Sequence, residues 1–179
     1  MPMMLTDFAQ SPNPSRMGGD QSSTWQLFPD LDRTVWTQTV GIRERGRVSL
    51  PVAVRDRLSW VSSAGIFLSM LNGDGSVEIF EWERRGNTVL AAVKERYDAL
   101  PPSQRADFAL AAMDRFMRVT GEKGGRLTLP TVLRTQLDPF RKAFLRVVVR
   151  DDRLQLWDDE LWKAQRTARI ARLEKAGII

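Results

Sequence analysis

Two short turns carry the residues of this chain whose type and spacing can do chemistry. Arg43, Arg45 and Arg47 fall within five positions in the stretch RERGR, and Lys123 and Arg126 lie in the later stretch GEKGGR. A guanidinium is a planar fork of N–H donors that is always charged. It suits the paired oxygens of a phosphate or the O6/N7 edge of guanine. Other chemistries are poorly supplied. The 179 residues contain no histidine and no cysteine, which removes the commonest general base, the thiolate nucleophile and the usual transition-metal ligands. No Gly-rich phosphate loop, paired-carboxylate signature or Gly-x-Ser-x-Gly elbow is present. The expectation is a protein that is not an enzyme, with no cofactor and no metal.

The elements that must hold these cations repeat. GRVSLPVAVRDRL, from Gly46 to Leu58, returns 79 residues later as GRLTLPTVLRTQL, from Gly125 to Leu137. Six positions are identical at that offset: Gly46/Gly125, Arg47/Arg126, Leu50/Leu129, Pro51/Pro130, Arg55/Arg134 and Leu58/Leu137. Val48/Leu127 and Ser49/Thr128 keep their character. An internal repeat of this kind governs every other reading. In each unit a β-branched strand precedes a glycine turn, a short alternating strand follows, and a proline then opens a two-turn helix. In the first unit that helix is expected to be fixed by Val52, Val54 and Leu58. GIFLSM–NGDGS–VEIFEW and AFLRVVV–RDDR–LQLW each predict a hairpin, with Phe80 and Trp157 at equivalent strand ends.

Neither unit can bury enough apolar surface alone, whereas two can interleave their strands in one shared barrel. The fold class expected is mainly β with short helices (α+β), with pseudo-two-fold symmetry. Residues 1–34 form a polar extension expected to be disordered, with Trp25 and Phe28 as candidates for docking. Residues 35–84 are the first unit, 85–115 a helical linker, 116–160 the second unit and 161–179 a C-terminal helix. In the linker, Phe108, Ala112 and Phe116 are spaced to share a helical face.

Charge is unevenly placed. The net charge is +5, with residues 1–35 holding two Arg against four Asp and the remainder 25 Lys and Arg against 18 Asp and Glu. A basic folded part favours a polyanionic partner. No apolar run reaches the length of a membrane span, and the N-terminus lacks the layout of a secretory signal. The expectation is a soluble cytoplasmic protein with no membrane partner and no small-molecule substrate.

The Gly-Arg turn, the Leu-Pro step, the later Arg and Leu and the following hairpin resemble the AbrB/SpoVT family of swapped-hairpin DNA-binding domains. Two such copies joined by helices, over about Trp36 to Trp162, resemble the MraZ proteins more closely. That resemblance implies a pseudo-two-fold swapped-hairpin barrel and a transcriptional regulator that binds repeated promoter boxes on double-stranded DNA. It also implies a ring-like homo-oligomer in the bacterial cytoplasm, associated with the nucleoid. Where MraZ proteins usually carry an aspartate three residues before the turn glycine, this chain has Arg43 and Glu122.

Each candidate has a bland counterpart. The turn cations Arg43, Arg45, Arg47, Lys123 and Arg126 either contact DNA or form a solvated surface neutralised locally by Glu44 and Glu122. Arg55 and Arg134 read first as internal ion pairs or caps. Lys163, Arg166, Arg169 and Arg172 read as a solvated helix face, with phosphate contact or subunit packing as the other options. Phe80, Trp82, Trp157 and Trp162 read as core or subunit contacts ahead of base stacking. A protein–protein adaptor or ring scaffold, or an AbrB-type antitoxin, is the alternative to a DNA-binding regulator.

Overall fold

A computed structural model describes residues 35–179, and the expectations for residues 1–34 lie outside them. The first unit contributes β1 (Val35–Arg43), β2 (Arg47–Ser49), α1 (Val52–Arg57), β3 (Gly65–Leu71) and β4 (Val77–Glu81). A π-type turn, Trp82–Gly86, leads into α2 (Asn87–Ala99) and α3 (Pro102–Arg115). The second unit supplies β5 (Phe116–Glu122), β6 (Arg126–Thr128), α4 (Thr131–Leu137), β7 (Phe144–Arg150) and β8 (Arg153–Trp157), and α5 (Asp159–Lys175) follows.

The eight strands close into one antiparallel barrel in the order β1-β2-β6-β5-β3-β4-β8-β7. The first strand of each unit pairs with the third strand of the other: β1 with β7, and β5 with β3. Two further seams join equivalent strands. In one, Val48 faces its repeat counterpart Leu127; in the other, Glu78 faces Gln155. A pseudo-two-fold axis therefore runs through both seams. The barrel expected from the repeat is the barrel observed, and neither unit could close it alone.

Alternation along the short strands decides what faces in. Val48 and Leu127 are fully buried on the axis, and around them pack Leu50, Leu129, Val54, Leu133, Leu58 and Leu137. Burying each such side chain stabilises the fold by roughly 1.5–3 kcal/mol relative to leaving it exposed, and each pair comes half from each unit. One sequence expectation needs correction here. Val52 is 59% exposed and does not fix α1, which is held by Val54 and Leu58. Phe116, whose spacing also matched the face of the linker helix, begins β5, in keeping with FMRVT as the first strand of the second unit. The C-terminal helix begins at Asp159 with the carboxylate cap that the run Asp158–Glu160 predicts: the Asp158 side chain accepts the backbone N–H of Leu161 at 2.7 Å.

The helix α5 is tied to the barrel at its start. Asp159 accepts hydrogen bonds from Thr39 Oγ1 (3.1 Å) on β1 and Arg146 Nε (2.9 Å) on β7. Trp162 sets its ring edge against Trp157 of β8 at 5.4 Å. The linker helices behave differently: neither α2 nor α3 has a buried residue. No helix among the described residues is long and apolar enough to cross a membrane.

Candidate nucleic-acid interface

The turn cations are placed by the β2–β6 seam. Arg47 faces Thr128 and Ser49 faces Arg126, on either side of the inward pair Val48 and Leu127. Strand alternation then sends Arg47, Ser49, Arg126 and Thr128 outward together. Arg47 and Arg126 are diagonal neighbours across the seam, with about 7–8 Å between them. The first turn closes one end of this ribbon and the second closes the other.

Both turns rest on the opposite unit. The Leu129 N–H donates to the Gly46 carbonyl at 3.0 Å, and the Leu50 N–H donates to the Gly125 carbonyl at 2.8 Å. Gly46 (φ +75°) and Gly125 (φ +74°) both lie in the left-handed region, where a side chain is costly. A Cβ on Gly46 would stand 2.6 Å from the Leu129 carbonyl oxygen, and one on Gly125 would stand 2.6 Å from Cδ of Arg55. Each helix of the repeat thus backs the other unit's turn: α1 through Arg55, and α4 through Arg134, whose Cδ lies 3.7 Å from the Cβ position of Gly46.

This placement corrects the reading of Arg55 and Arg134 as ion pairs. Neither forms one among the described residues, and the buried Nε of Arg55 has no hydrogen-bond partner there. What repeats is the aliphatic stem, laid against a glycine that leaves room for it.

Arg43, Arg45, Arg47, Lys123 and Arg126 are all exposed. Among the described residues none of the five forms an ion pair with Glu44, Glu122 or another carboxylate. Arg43 lies directly opposite Arg47 across β1–β2, while Glu122 lies directly opposite Arg126 across β5–β6. Arg45 takes φ +60°, a conformation that costs most residues roughly 1–2 kcal/mol. Ser49 and Thr128 join the site although the sequence pattern did not single them out for it. The signal was available, since both are two positions from an arginine in an alternating strand.

The aromatic side chains divide. Phe80 and Trp157 are buried, while Trp82 and Trp162 are half-buried beneath guanidiniums: Arg118 lies 5.3 Å from the Trp82 ring and Arg169 lies 4.3 Å from the Trp162 ring.

Elsewhere a cleft of about 290 Å³ between β1, the α4–β7 connection and the start of α5 is lined by Thr39, Lys142, Asp159, Glu160 and Lys163 among others. Its charges are already paired, with Lys163–Asp159 at 2.9 Å and Lys142–Glu160 at 3.3 Å. Burial pushes the Asp159 carboxyl up, but the bonds from Lys163, Arg146 and Thr39 prevail and hold it below its ordinary value. Hydrogen bonds from Lys163 and Lys142 lower that of Glu160.

Over 134 residues the chain is 27% identical to the transcriptional regulator MraZ of Marinomonas sp. (strain MWYL1), across 71% of this chain and 81% of that protein. No protein-family profile matches the chain.

Proposed function

We propose that this chain is a DNA-binding transcriptional regulator of the MraZ type, which reads duplex DNA through the β2–β6 ribbon and its two flanking turns. The observation that carries the reading is the convergence of Arg47 and Arg126 on one exposed face, with Arg43, Arg45 and Lys123 at its ends. Among the described residues no carboxylate is paired to any of them. A two-stranded ribbon fits the major groove. Its pseudo-two-fold axis matches the local symmetry of a duplex, so each turn can meet one phosphate strand. In this arrangement Arg47 and Arg126 contact base edges or the nearest phosphates. Arg43, Arg45 and Lys123 grip the backbone, and Ser49 and Thr128 supply hydroxyls between them.

One ribbon offers few contacts, so usable affinity calls for several copies on repeated promoter boxes. The α2–α3 hairpin supports a homo-oligomer: it buries none of its residues within the chain and exposes Leu110 (62%) and Met113 (72%). The proposed setting is the bacterial cytoplasm and nucleoid.

Selection of bound duplexes from a random pool tests the reading and reads the boxes at once. Arg47→Ala with Arg126→Ala is expected to abolish the selection and weaken binding at least tenfold, since one bidentate arginine contributes about 1–3 kcal/mol of discrimination. A folded double variant that selects the same boxes with unchanged affinity overturns the proposal.

A further inference from the structure

The four cations of the C-terminal helix, equivalent in sequence, are split by the structure. Lys163 is consumed by carboxylates, at 2.9 Å from Asp159 and 3.2 Å from Glu160. Arg166, Arg169 and Arg172 form no ion pair among the described residues. Their spacing of three places them along one side of α5. The barrel adds a fourth cation: Arg150, at the exposed end of β7, lies close enough to Arg169 to act on its charge. Burial, and then the like charges of Arg172, Arg150 and Arg166, hold the Arg169 guanidinium below its ordinary pKa.

Like charges brought together without a carboxylate destabilise the chain that carries them. Here one of them is also held in place. Arg169 lies over the Trp162 ring at 4.3 Å, and Trp162 stands on Trp157 of the barrel wall. Stacking an arginine on an aromatic face leaves its N–H edge free and restricts its motion, a geometry suited to phosphate.

The patch is remote from the ribbon. Arg150 pairs with Val35 at the start of β1, whereas the first turn begins at Arg43 at its end. Eight steps of strand separate them, roughly 26 Å.

We infer that Arg150, Arg166, Arg169 and Arg172 form a second, sequence-independent contact for the phosphate backbone of duplex DNA. The patch rests on the proposed DNA-binding function and extends it to another surface: it holds a second duplex segment, or the same duplex bent around the barrel, while the ribbon selects sequence.

The test compares three full-length variants with the parent on a random-sequence duplex of about 30 base pairs, over a salt series. For Arg166→Ala/Arg169→Ala/Arg172→Ala, the slope of log affinity against log salt should fall by about two to three, at roughly 0.9 for each phosphate no longer neutralised. Preference for selected boxes over random duplex should be retained. The corresponding triple lysine variant should keep most of the slope. Arg47→Ala/Arg126→Ala should lose the preference yet retain the helix-dependent part of the slope.

An alanine variant with unaltered slope and affinity overturns the second contact and leaves the ribbon reading standing. A lysine variant as weak as the alanine one, at equal thermal stability, also overturns it, because charge would then not be what matters. Polyglutamate competing as well as duplex DNA, charge for charge, would assign the patch to an acidic protein and overturn its assignment to phosphate. Unchanged box preference in the ribbon variant removes the ribbon reading alone.

Discussion

The first turn and the second do the same structural task with different residues, and the difference separates what the barrel needs from what a ligand would need. Gly46 and Gly125 are shared, and the carbonyl of each accepts a hydrogen bond from the opposite unit's Leu-Pro step. One position earlier the turns diverge: Gly124 takes φ +81°, but its counterpart Arg45 is forced to φ +60°. The facing pairs diverge too. Glu122 stands opposite Arg126, a favourable cross-strand combination, whereas Arg43 stands opposite Arg47, which is unfavourable. The first turn thus departs twice from the more comfortable solution that the same chain uses in the second. Each departure adds an exposed guanidinium at the ribbon's end. Strain and repulsion concentrated at one exposed corner are what a binding surface shows, and they support placing more of the proposed DNA contact on the first turn.

The shared glycines give the largest expected effect and the sharpest contrast. Gly46→Ala would drive a methyl group to 2.6 Å from the Leu129 backbone oxygen, and the seam must shift to admit it. A loss of about 3 kcal/mol is expected, counting the left-handed φ. Gly125→Ala meets the Arg55 side chain at the same distance, and that side chain can move. Its cost should stay near the ~1 kcal/mol of the backbone conformation alone. Urea unfolding of both variants decides the matter; equal losses would mean that the two turns are seated alike.

These glycines also show why the fold was readable and part of the site was not. Gly46, Leu50, Pro51 and Leu58, with their counterparts, answer to constraints that demand a residue type: positive φ, a bond across the seam, a helix start, full burial. Such demands leave a repeated signature along the chain. Val52 escaped because a two-turn helix has too few positions for its period to separate an exposed valine (59%) from a buried one. Phe116 drew two readings, helix face and strand start, because an aromatic residue suits both equally. The stem packing of Arg55 on Gly125 depends on closure between the units, which no local spacing contains. Arg150 acts on the charge of Arg169 only because α5 packs against β7, so its part in the proposed cationic patch could not be read from the C-terminal arginines.

Arg45→Gly copies the second turn into the first. Removing the left-handed side chain should stabilise the protein by about 1 kcal/mol or less, since glycine also loses more backbone freedom on folding. Duplex binding should weaken at the same time. Opposite signs from thermal melting and anisotropy titration are the expected pattern; a variant that gains stability and keeps full affinity would falsify a role for Arg45 in binding.

Arg43→Glu makes the other substitution that the second turn suggests. A favourable pair replaces an unfavourable one across β1–β2, which should stabilise the hairpin by roughly 0.2–1 kcal/mol. The ribbon's end loses two units of positive charge, so affinity should fall most at low salt. Stability at high and low salt measures the repulsion directly: the gain should shrink as salt rises.

The smallest effect lies at the other seam, where the units again differ in charge. Glu78 is buried opposite Gln155. Burial pushes its carboxyl above the ordinary 4.5, Arg153 and Arg85 pull it partly back, and Asp152 adds to the rise. A raised carboxyl binds its proton more tightly in the folded state than in the unfolded one. Stability must therefore decline as pH climbs from near 4.5 through the raised value. Glu78→Gln makes this seam symmetric and removes the titrating group. Its unfolding free energy should vary less with pH over that window than the parent's. The Arg153–Glu78 contact is long, at 3.8 Å, and Arg153 is half exposed, so its loss should offset little of the gain at neutral pH. If the parent instead gained stability as pH rose through this range, the arginines and not burial would govern Glu78, and the seam's asymmetry would be a favourable ion pair.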